Sequence, residues 1–295
     1  MEGKDIIYEF LDYISYEKKY SSYTEKSYEL DLFKYFKYLG DNNFNYLKVK
    51  YKDINIFIEE LTMAGYEAST INRIISTLSS FYNYLEEKKV INGNPFKFVN
   101  FLKTDKRLPN YFKYEEFLTM IDVIDDSVLG IRNRLILELL FATGLRVSEL
   151  SNIKLSEIDK NNHEIKVLGK GNKERIVFFN DEAAISLDNY LDNSRNILLK
   201  NKINDYLFVN HLGNKLSERG LRLIIEEIVK KSCIKSKVSP HTFRHTFATM
   251  LLNEGCCIKS VKDLLGHSSL STTGIYTHLT NDEVRNAYRK AHPRA

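Results

Sequence analysis

The segment Ile131–Phe141 constrains this chain more than any other. It is long enough for a helix and apolar on nearly every face, so it belongs deep inside a domain with other elements packed around it. Its best apolar stretch, Leu135 to Ala142, is broken by Glu138 and falls far short of the roughly 18 consecutive apolar residues that a membrane span needs. No other stretch comes closer, and no membrane association is expected. The composition can supply the surroundings of a buried helix. Of 295 residues, 43% are hydrophobic and 28% charged, with only 4 Pro and 13 Gly, which excludes a disordered, collagen-like or low-complexity chain. At about 150 residues per domain, the length suggests two domains.

The first 100 residues read as helices. A helix over residues 4–16 comes first. Thr24 is expected to cap the next, which carries Tyr28, Leu32, Tyr35, Phe36 and Leu39 on one face and stops at Gly40. Asp53 is expected to open a third, through Ile54, Phe57, Ile58 and Leu61 to Gly65. Ser69 or Thr70 is expected to cap a fourth, with Ile71, Ile74, Ile75, Leu78, Phe81, Tyr82 and Leu85 inward. Asn92-Gly93-Asn94-Pro95 breaks the pattern, and Lys103–Pro109 reads as an exposed basic linker. The expected organisation is a helical domain over 1–102, a linker over 103–109 and a second domain over 110–295. In the second domain, β-rich runs at His163–Leu168 and Arg175–Phe179 flank Gly169-Lys170-Gly171-Asn172-Lys173, a suitable hairpin tip. Helices are expected from Ser217, from Ser239-Pro240, from Ile258, near Ser271, and from about Asp282 to Ala291. The class is therefore mainly α with a small β-sheet.

Residues 1–105 carry 14 basic and 16 acidic side chains, whereas residues 106–295 carry 29 and 23. A basic second half suits a polyanion, although a well-solvated surface has the same arithmetic. The three cysteines, Cys233, Cys256 and Cys257, cannot build a disulfide framework, and adjacent cysteines lack chelate spacing. They are expected to be buried small hydrophobes in a reduced, cytoplasmic protein. The charged start, Met1 to Asp5, is not that of a signal peptide.

Four segments collect polar side chains that packing does not require. In Thr143-Gly144-Leu145-Arg146-Val147-Ser148-Glu149-Leu150, Gly144 allows a sharp turn that brings Arg146 to the start of the next helix. Arg146 is then either paired with an internal carboxylate such as Glu149 or aimed at an anion. Ser239-Pro240 starts another helix with Ser at the N-cap and Pro at the first helical position. His241 and Arg244 follow three apart on one face of its first turn, near the positive dipole end, an arrangement suited to phosphate. Phe243 and Phe247 point to the core, and His245 is expected to be structural. In the third segment, Gly266 ends a helix and leaves His267 in a loop, while Ser271 can cap a short helix bearing Tyr276. The chain has 19 tyrosines, of which 13 precede residue 106, and Tyr276 is the one in the basic half placed among polar donors. The fourth segment is Lys170 at the hairpin tip. Gly-x-x-x-x-Gly-Lys-Ser/Thr spacing is absent there, which argues against nucleotide binding. Together these residues suit metal-free chemistry at a phosphodiester, with arginines on the non-bridging oxygens, a lysine or histidine protonating the departing oxygen, and a hydroxyl attacking phosphorus.

The order Arg146, Lys170, His241-x-x-Arg244, His267, Tyr276 resembles the tyrosine recombinase (phage integrase) family. The boxes Thr-Gly-Leu-Arg-Val-Ser-Glu-Leu, Gly-Lys-Gly-Asn-Lys-Glu-Arg, Leu-Leu-Gly-His-Ser-Ser and Ile-Tyr-Thr-His carry the likeness. The compact length and the ending Ala291-His292-Pro293-Arg294-Ala295 resemble the Xer subgroup, which resolves chromosome or plasmid dimers. The resemblance implies a helical SAM-like core-binding domain followed by an α+β catalytic domain. It implies Tyr276 as nucleophile, leaving a 3′-phosphotyrosine, and Arg146 and Arg244 as the clamp on the scissile phosphate. Lys170 would be general acid, His241 would assist proton transfer, His267 would bond the phosphate and Glu149 would orient the site. No metal, ATP or other cofactor is implied. The implied partners are double-stranded DNA with short inverted repeats and further protomers in a homo- or hetero-tetramer, with a second Xer recombinase and a DNA translocase as possible associates. The final helix, through Val284, Ala287 and Tyr288, would dock on a neighbouring protomer or pack on its own domain. Gly274 is expected to keep the Tyr276 segment mobile. Arg73, Lys173 and Arg175 are candidate DNA contacts. An integrase or transposase of a mobile element would use the same chemistry, and a non-catalytic DNA-binding protein the same scaffold. A type IB topoisomerase would use related chemistry, but nothing suggests its larger clamp.

Overall fold

The structure, a computed structural model, describes residues 2–20, 22–104, 111–169 and 174–266, together with 285, 288, 289 and 294. Lys170, Lys173, His267, Gly274 and Tyr276, and the helix expected near Ser271, lie outside the described residues. The chain divides into two compact units, residues 1–106 and 107–295. Each has its own apolar core.

In the first unit, α1 (Glu2–Asp12) runs on as a single π-helical turn, Tyr13–Glu17, and is followed by α2 (Ser22–Asp41), α3 (Tyr51–Met63) and α4 (Ala68–Glu87). The inward positions of all four interlock around Phe10, Leu32, Tyr35, Ile54, Phe57, Leu78 and Phe81. The tyrosines fill this core with their hydroxyls accounted for. Tyr35 and Tyr82 place their hydroxyl oxygens 3.0 Å apart, and Tyr82 also donates to the Tyr46 carbonyl at 2.8 Å. Burial pushes both phenols above their ordinary pKa.

The helix starts differ from those expected. Thr24 and Ser69 lie inside the first turns of α2 and α4. Asp53 works from inside α3, its carboxylate accepting the Lys50 N–H at 2.9 Å. A short acidic side chain at the third helical position reaches back to the same orphan amide that an N-cap leaves free. Arg73, a candidate DNA contact, is bonded to Asp31, a carboxylate only 2% exposed that also accepts from the Thr77 hydroxyl at 3.0 Å, while its own side chain stays 47% exposed. A buried carboxylate is stable only with such partners, which gives Arg73 a structural role.

The second unit is built round α6 (Val128–Thr143), which follows α5 (Tyr114–Asp122). The Ser127 hydroxyl caps α6 by accepting the Gly130 N–H at 3.0 Å, and every residue from Leu135 to Ala142, Glu138 included, is buried. The helix is five residues longer than the apolar run Ile131–Phe141 alone predicts. Gly144 ends it at φ +60°, and α7 (Val147–Asn152) follows at once. β1 (Ile158–Asp159), β2 (Glu164–Leu168) and β3 (Glu174–Phe178) form an antiparallel sheet in that order. Ile165 pairs with Val177 and Val167 with Arg175. Ile165, Val167 and Val177 join the main core, while Ile176 and Phe178 pack from the other face onto a smaller cluster with Phe247, Leu251, Val261, Leu264 and Leu265. α8 (Asp181–Tyr190), α9 (Asn196–Leu199), α10 (Glu218–Lys231), α11 (Pro240–Asn253) and α12 (Ile258–Leu265) complete the unit.

One expectation is corrected here. Cys233 and Cys257 are exposed and Cys256 is half-buried, so the thiols are not core residues. Cys257 instead caps α12, its sulfur accepting the Ser260 N–H at 3.4 Å. Of the apolar stripe expected in the last helix, Val284 and Ala287 lie outside the described residues. Tyr288 is buried within its own unit, its ring centroid 6.2 Å from that of Phe178 and 6.4 Å from that of Phe247.

Candidate active site

Arg146 stands at the N-cap of α7, immediately beyond the α6 turn, with extended backbone angles of φ −72° and ψ 150°. Glu149 lies one turn into α7. Its carboxylate accepts both the Arg146 backbone N–H and the Arg146 Nη1, each at 2.8 Å. The Arg146 side chain remains about a third exposed, at 31%.

Glu149 has a second partner. Arg175, at the start of β3, donates Nη1 to Oε1 at 2.7 Å and Nη2 to Oε2 at 3.0 Å, a two-pronged bond. Its Nε donates to the Leu264 carbonyl at 3.2 Å, at the end of α12. Arg175 was a candidate for reaching outward to DNA phosphates; the structure turns it inward. In an antiparallel pair, directly opposed residues share a face, and its partner Val167 is a core residue. That parity, with Val177 two residues on, is the sequence signal for its direction. Burial pushes the Glu149 carboxyl up, but the bonds and charge of Arg175, followed by those of Arg146, outweigh it and hold the group below its ordinary pKa.

Arg244 comes from α11. The Ser239 hydroxyl caps this helix by accepting the Thr242 N–H at 3.3 Å, and Pro240 takes the first helical position. Arg244 is buried; its Nη1 donates to the Gly144 carbonyl at 2.9 Å and its Nη2 to the Leu265 carbonyl. Burial, then the like charge of Arg146, lowers its pKa to about 10. His241 is exposed on the first turn of α11, while Phe243 packs edge-on to Phe112 with ring centroids 4.8 Å apart. Gly266, at φ +65°, ends α12, and a Cβ there would come within 2.9 Å of the Arg175 side chain.

The structure thus brings together the α6–α7 turn, the base of the β2–β3 hairpin, the second turn of α11 and the end of α12. Arg146, Glu149, Arg175 and Arg244 meet there. Lys170 and His267 lie outside the described residues but next to them in sequence, Lys170 following Gly169 at the end of β2 and His267 following Gly266. Arg146 and Arg244, with Arg175 and Glu149 bonded behind Arg146, form a place for an anion with several non-bridging oxygens, which is what a phosphodiester presents. Among the described residues, no group of three or more His, Cys, Asp or Glu is placed to hold a metal ion, and no helix is long and apolar enough to cross a membrane.

Comparison with known proteins gives this arrangement its context. Residues 110–283 match the Phage integrase family, and residues 7–89 match the Phage integrase, N-terminal SAM-like domain. The chain is 41% identical over 290 residues to a tyrosine recombinase XerC of Listeria innocua, covering 97% of each chain. It is 43% identical over 290 residues to a tyrosine recombinase XerC of Oceanobacillus iheyensis, covering 97% of this chain and 95% of the relative. Among solved structures, the Tn1549 transposon integrase in complex with a circular intermediate DNA superposes with a TM-score of 0.71 at 20% identity, over 97% of this chain and 99% of that one, a likeness of fold. The chain belongs to the phage integrase family, and is a DNA strand transferase that cleaves and rejoins DNA through a tyrosine intermediate. Within that family it is a tyrosine recombinase of the Xer type.

Proposed function

We propose that Tyr276 is the nucleophile of this enzyme and that Arg146 and Arg244 clamp the scissile phosphate. The phenolic oxygen attacks phosphorus, the bond to the 5′ oxygen breaks, and a 3′-phosphotyrosine is left on one strand end. Lys170 supplies the proton taken up by the departing 5′ oxygen, and His241 accepts the proton released by the phenol. His267 donates to a non-bridging oxygen. In the reverse step the 5′ hydroxyl of a partner strand attacks the phosphotyrosine, so the diester's energy is conserved.

The observation that most supports this assignment is the approach of Arg244 to Arg146. Arg244 bonds the carbonyl of Gly144, two residues before Arg146, and the charge of Arg146 contributes to its lowered pKa. Burying like charges together carries a penalty that an incoming phosphate relieves. Glu149 holds Arg146 in place, and the resemblance over all six positions supplies Lys170, His267 and Tyr276.

The substrate is double-stranded DNA with short inverted repeats. Four protomers assemble on paired sites, with a second Xer recombinase as a candidate partner and a DNA translocase as a candidate activator. The cellular task is resolution of chromosome or plasmid dimers in the cytoplasm. Lys173 beside the hairpin adds a phosphate contact, which makes binding weaken with salt.

The test is covalent trapping in EDTA on nicked suicide DNA carrying candidate dimer-resolution sites from the source genome. The expected result is an SDS-resistant protein–DNA band that disappears in Tyr276→Phe. A band that persists in Tyr276→Phe overturns the nucleophile assignment. A Tyr276-dependent band formed only on the ends of a mobile element overturns the dimer-resolution role.

A further inference from the structure

Arg175 is connected to three segments that each carry, or run into, a residue of the proposed site. Its own strand begins directly after 170–173, the stretch that contains Lys170. Through both oxygens of Glu149 it is tied to α7 and so to Arg146. Through Nε it bonds the Leu264 carbonyl, and its Cδ, Nε and Nη1 lie against Gly266, the residue before His267. Gly266 leaves room for this approach, since a Cβ would stand 2.9 Å from Arg175 Cδ.

The hydrogen-bond geometry shows how the load is divided. Glu149 accepts from Arg175 at each oxygen, at 2.7 and 3.0 Å, and from the Arg146 side chain at Oε1 alone, at 2.8 Å. Arg146 therefore keeps its remaining N–H groups available on a side chain that is partly exposed. Without Arg175, Oε2 of Glu149 keeps only the Arg146 backbone N–H and has a lone pair open, so Glu149 can take the Arg146 guanidinium in a two-pronged pair and draw its fork away from a phosphate. The end of α12 would at the same time lose one of the two guanidinium groups that hold its carbonyls, Arg244 on Leu265 being the other.

We propose that Arg175 is a positioning residue for strand cleavage: it occupies Glu149 so that Arg146 stays directed at the phosphate, and it fixes the end of α12 from which the His267 segment departs. This rests on Arg146, Lys170, His267 and Tyr276 acting as proposed above. Arg175 itself touches neither the DNA nor the reacting atoms.

The test compares full-length wild type with Arg175→Gln, Arg175→Lys and the double variant Glu149→Gln/Arg175→Gln. Single-turnover formation of the covalent complex is measured at saturating suicide DNA, together with the Kd for the same DNA and the Tm. Arg175→Gln is expected to lower the cleavage rate about 100-fold, the scale of loss for a displaced reacting group. The Kd should stay within about threefold, because the bulk of affinity comes from phosphate contacts elsewhere. Arg175→Lys should recover part of the rate, since it keeps the charge and loses the fork. The double variant should be no worse than the single one, because the misdirecting carboxylate is gone. The deficit of Arg175→Gln relative to wild type should narrow as the pH falls, because Glu149, no longer held ionised by Arg175, takes up a proton and ceases to misdirect Arg146.

A cleavage rate within about threefold of wild type, or a deficit that does not narrow at low pH, overturns the proposal. So does a loss confined to Kd. If Arg175→Gln does not fold, Arg175→Lys is judged by the same criteria. Amide hydrogen exchange on the free proteins supplies a readout independent of cleavage: protection over residues 258–266 should fall in Arg175→Gln while α6 keeps its own. Unchanged protection there overturns the anchoring of α12. Failure of the Tyr276 assignment shows separately, as a wild-type band that survives Tyr276→Phe.

Discussion

Gly144 carries two constraints at once. Its φ of +60° lies in the left-handed region, and a Cβ there would come within 2.7 Å of the Phe247 ring. Its carbonyl also receives Arg244 Nη1. A methyl group at this position strains the backbone, pushes on Phe247 and moves the acceptor that holds Arg244. Gly144→Ala is expected to cost about 2–4 kcal/mol, combining the left-handed penalty with the cost of overpacking. Urea denaturation followed by circular dichroism measures this as a lower midpoint at unchanged slope. An unchanged midpoint would mean that the turn relaxes without cost. Gly144 and the placement of Arg146 were legible in the sequence, because a glycine directly after a long apolar helix marks a left-handed stop. The direction of Arg175 was not. It stands in the polar run Lys173-Glu174-Arg175, which reads as solvated, and only the pairing of residue 175 with Val167 turns it inward.

At the scale of elements, the helices with a single strong start signal were the ones read correctly. Ser217 and Ser239 each accept an N–H from three residues on, as their places before the helices α10 and α11 predict. The start of α3 shifted because Asp53, inside the first turn, does the work of a cap. α8 left little trace in the sequence because its buried face consists of Ala183, Ser186, Leu187 and Tyr190, of which two are too small to give a hydrophobic period. α5 has only nine residues and β1 only two, too few to show a pattern. The cap of α11 deserves a direct test because His241 and Arg244 both hang from its first turns. Ser239→Ala should lose about 1 kcal/mol of stability and Ser239→Gly only a few tenths, since glycine leaves the orphan amide open to water. Chemical denaturation of the two variants decides it, and equal losses would indicate that the Ser239 hydroxyl is not the operative group.

At the scale of the whole molecule, an ion pair between residues 156 apart in sequence ties Arg294 to the centre of the catalytic unit. Glu138, in the middle of α6 and 4% exposed, accepts Arg294 Nη1 at 3.3 and 3.0 Å through its two oxygens. Arg294 Nε also lies 3.2 Å from Oε1 of Glu182 on α8. Glu138 was legible as an interruption of an apolar helix, but nothing local in Ala291-His292-Pro293-Arg294-Ala295 marks Arg294 as its partner. Burial pushes the Glu138 carboxyl above its ordinary pKa, with Arg294 opposing the shift. Removing the arginine leaves a buried carboxylate whose ionised form has lost its main compensation, so its pKa in the folded protein rises further. The penalty attaches to the ionised form alone. Arg294→Ala is therefore expected to cost about 3 kcal/mol at pH 7, the lower end for a broken buried pair. The deficit should shrink as the pH falls through the raised folded value of Glu138, where the carboxyl becomes neutral, and should be least below the ordinary carboxylate range. Adding Glu138→Gln to Arg294→Ala should restore most of the stability at pH 7, because an amide buried there carries no charge to compensate. Denaturation of wild type and the three variants at several pH values checks each step. A deficit that is flat with pH, or that survives Glu138→Gln, would assign the role of Arg294 to its packing over Phe117 and its contact with Glu182 rather than to the charge in the central helix.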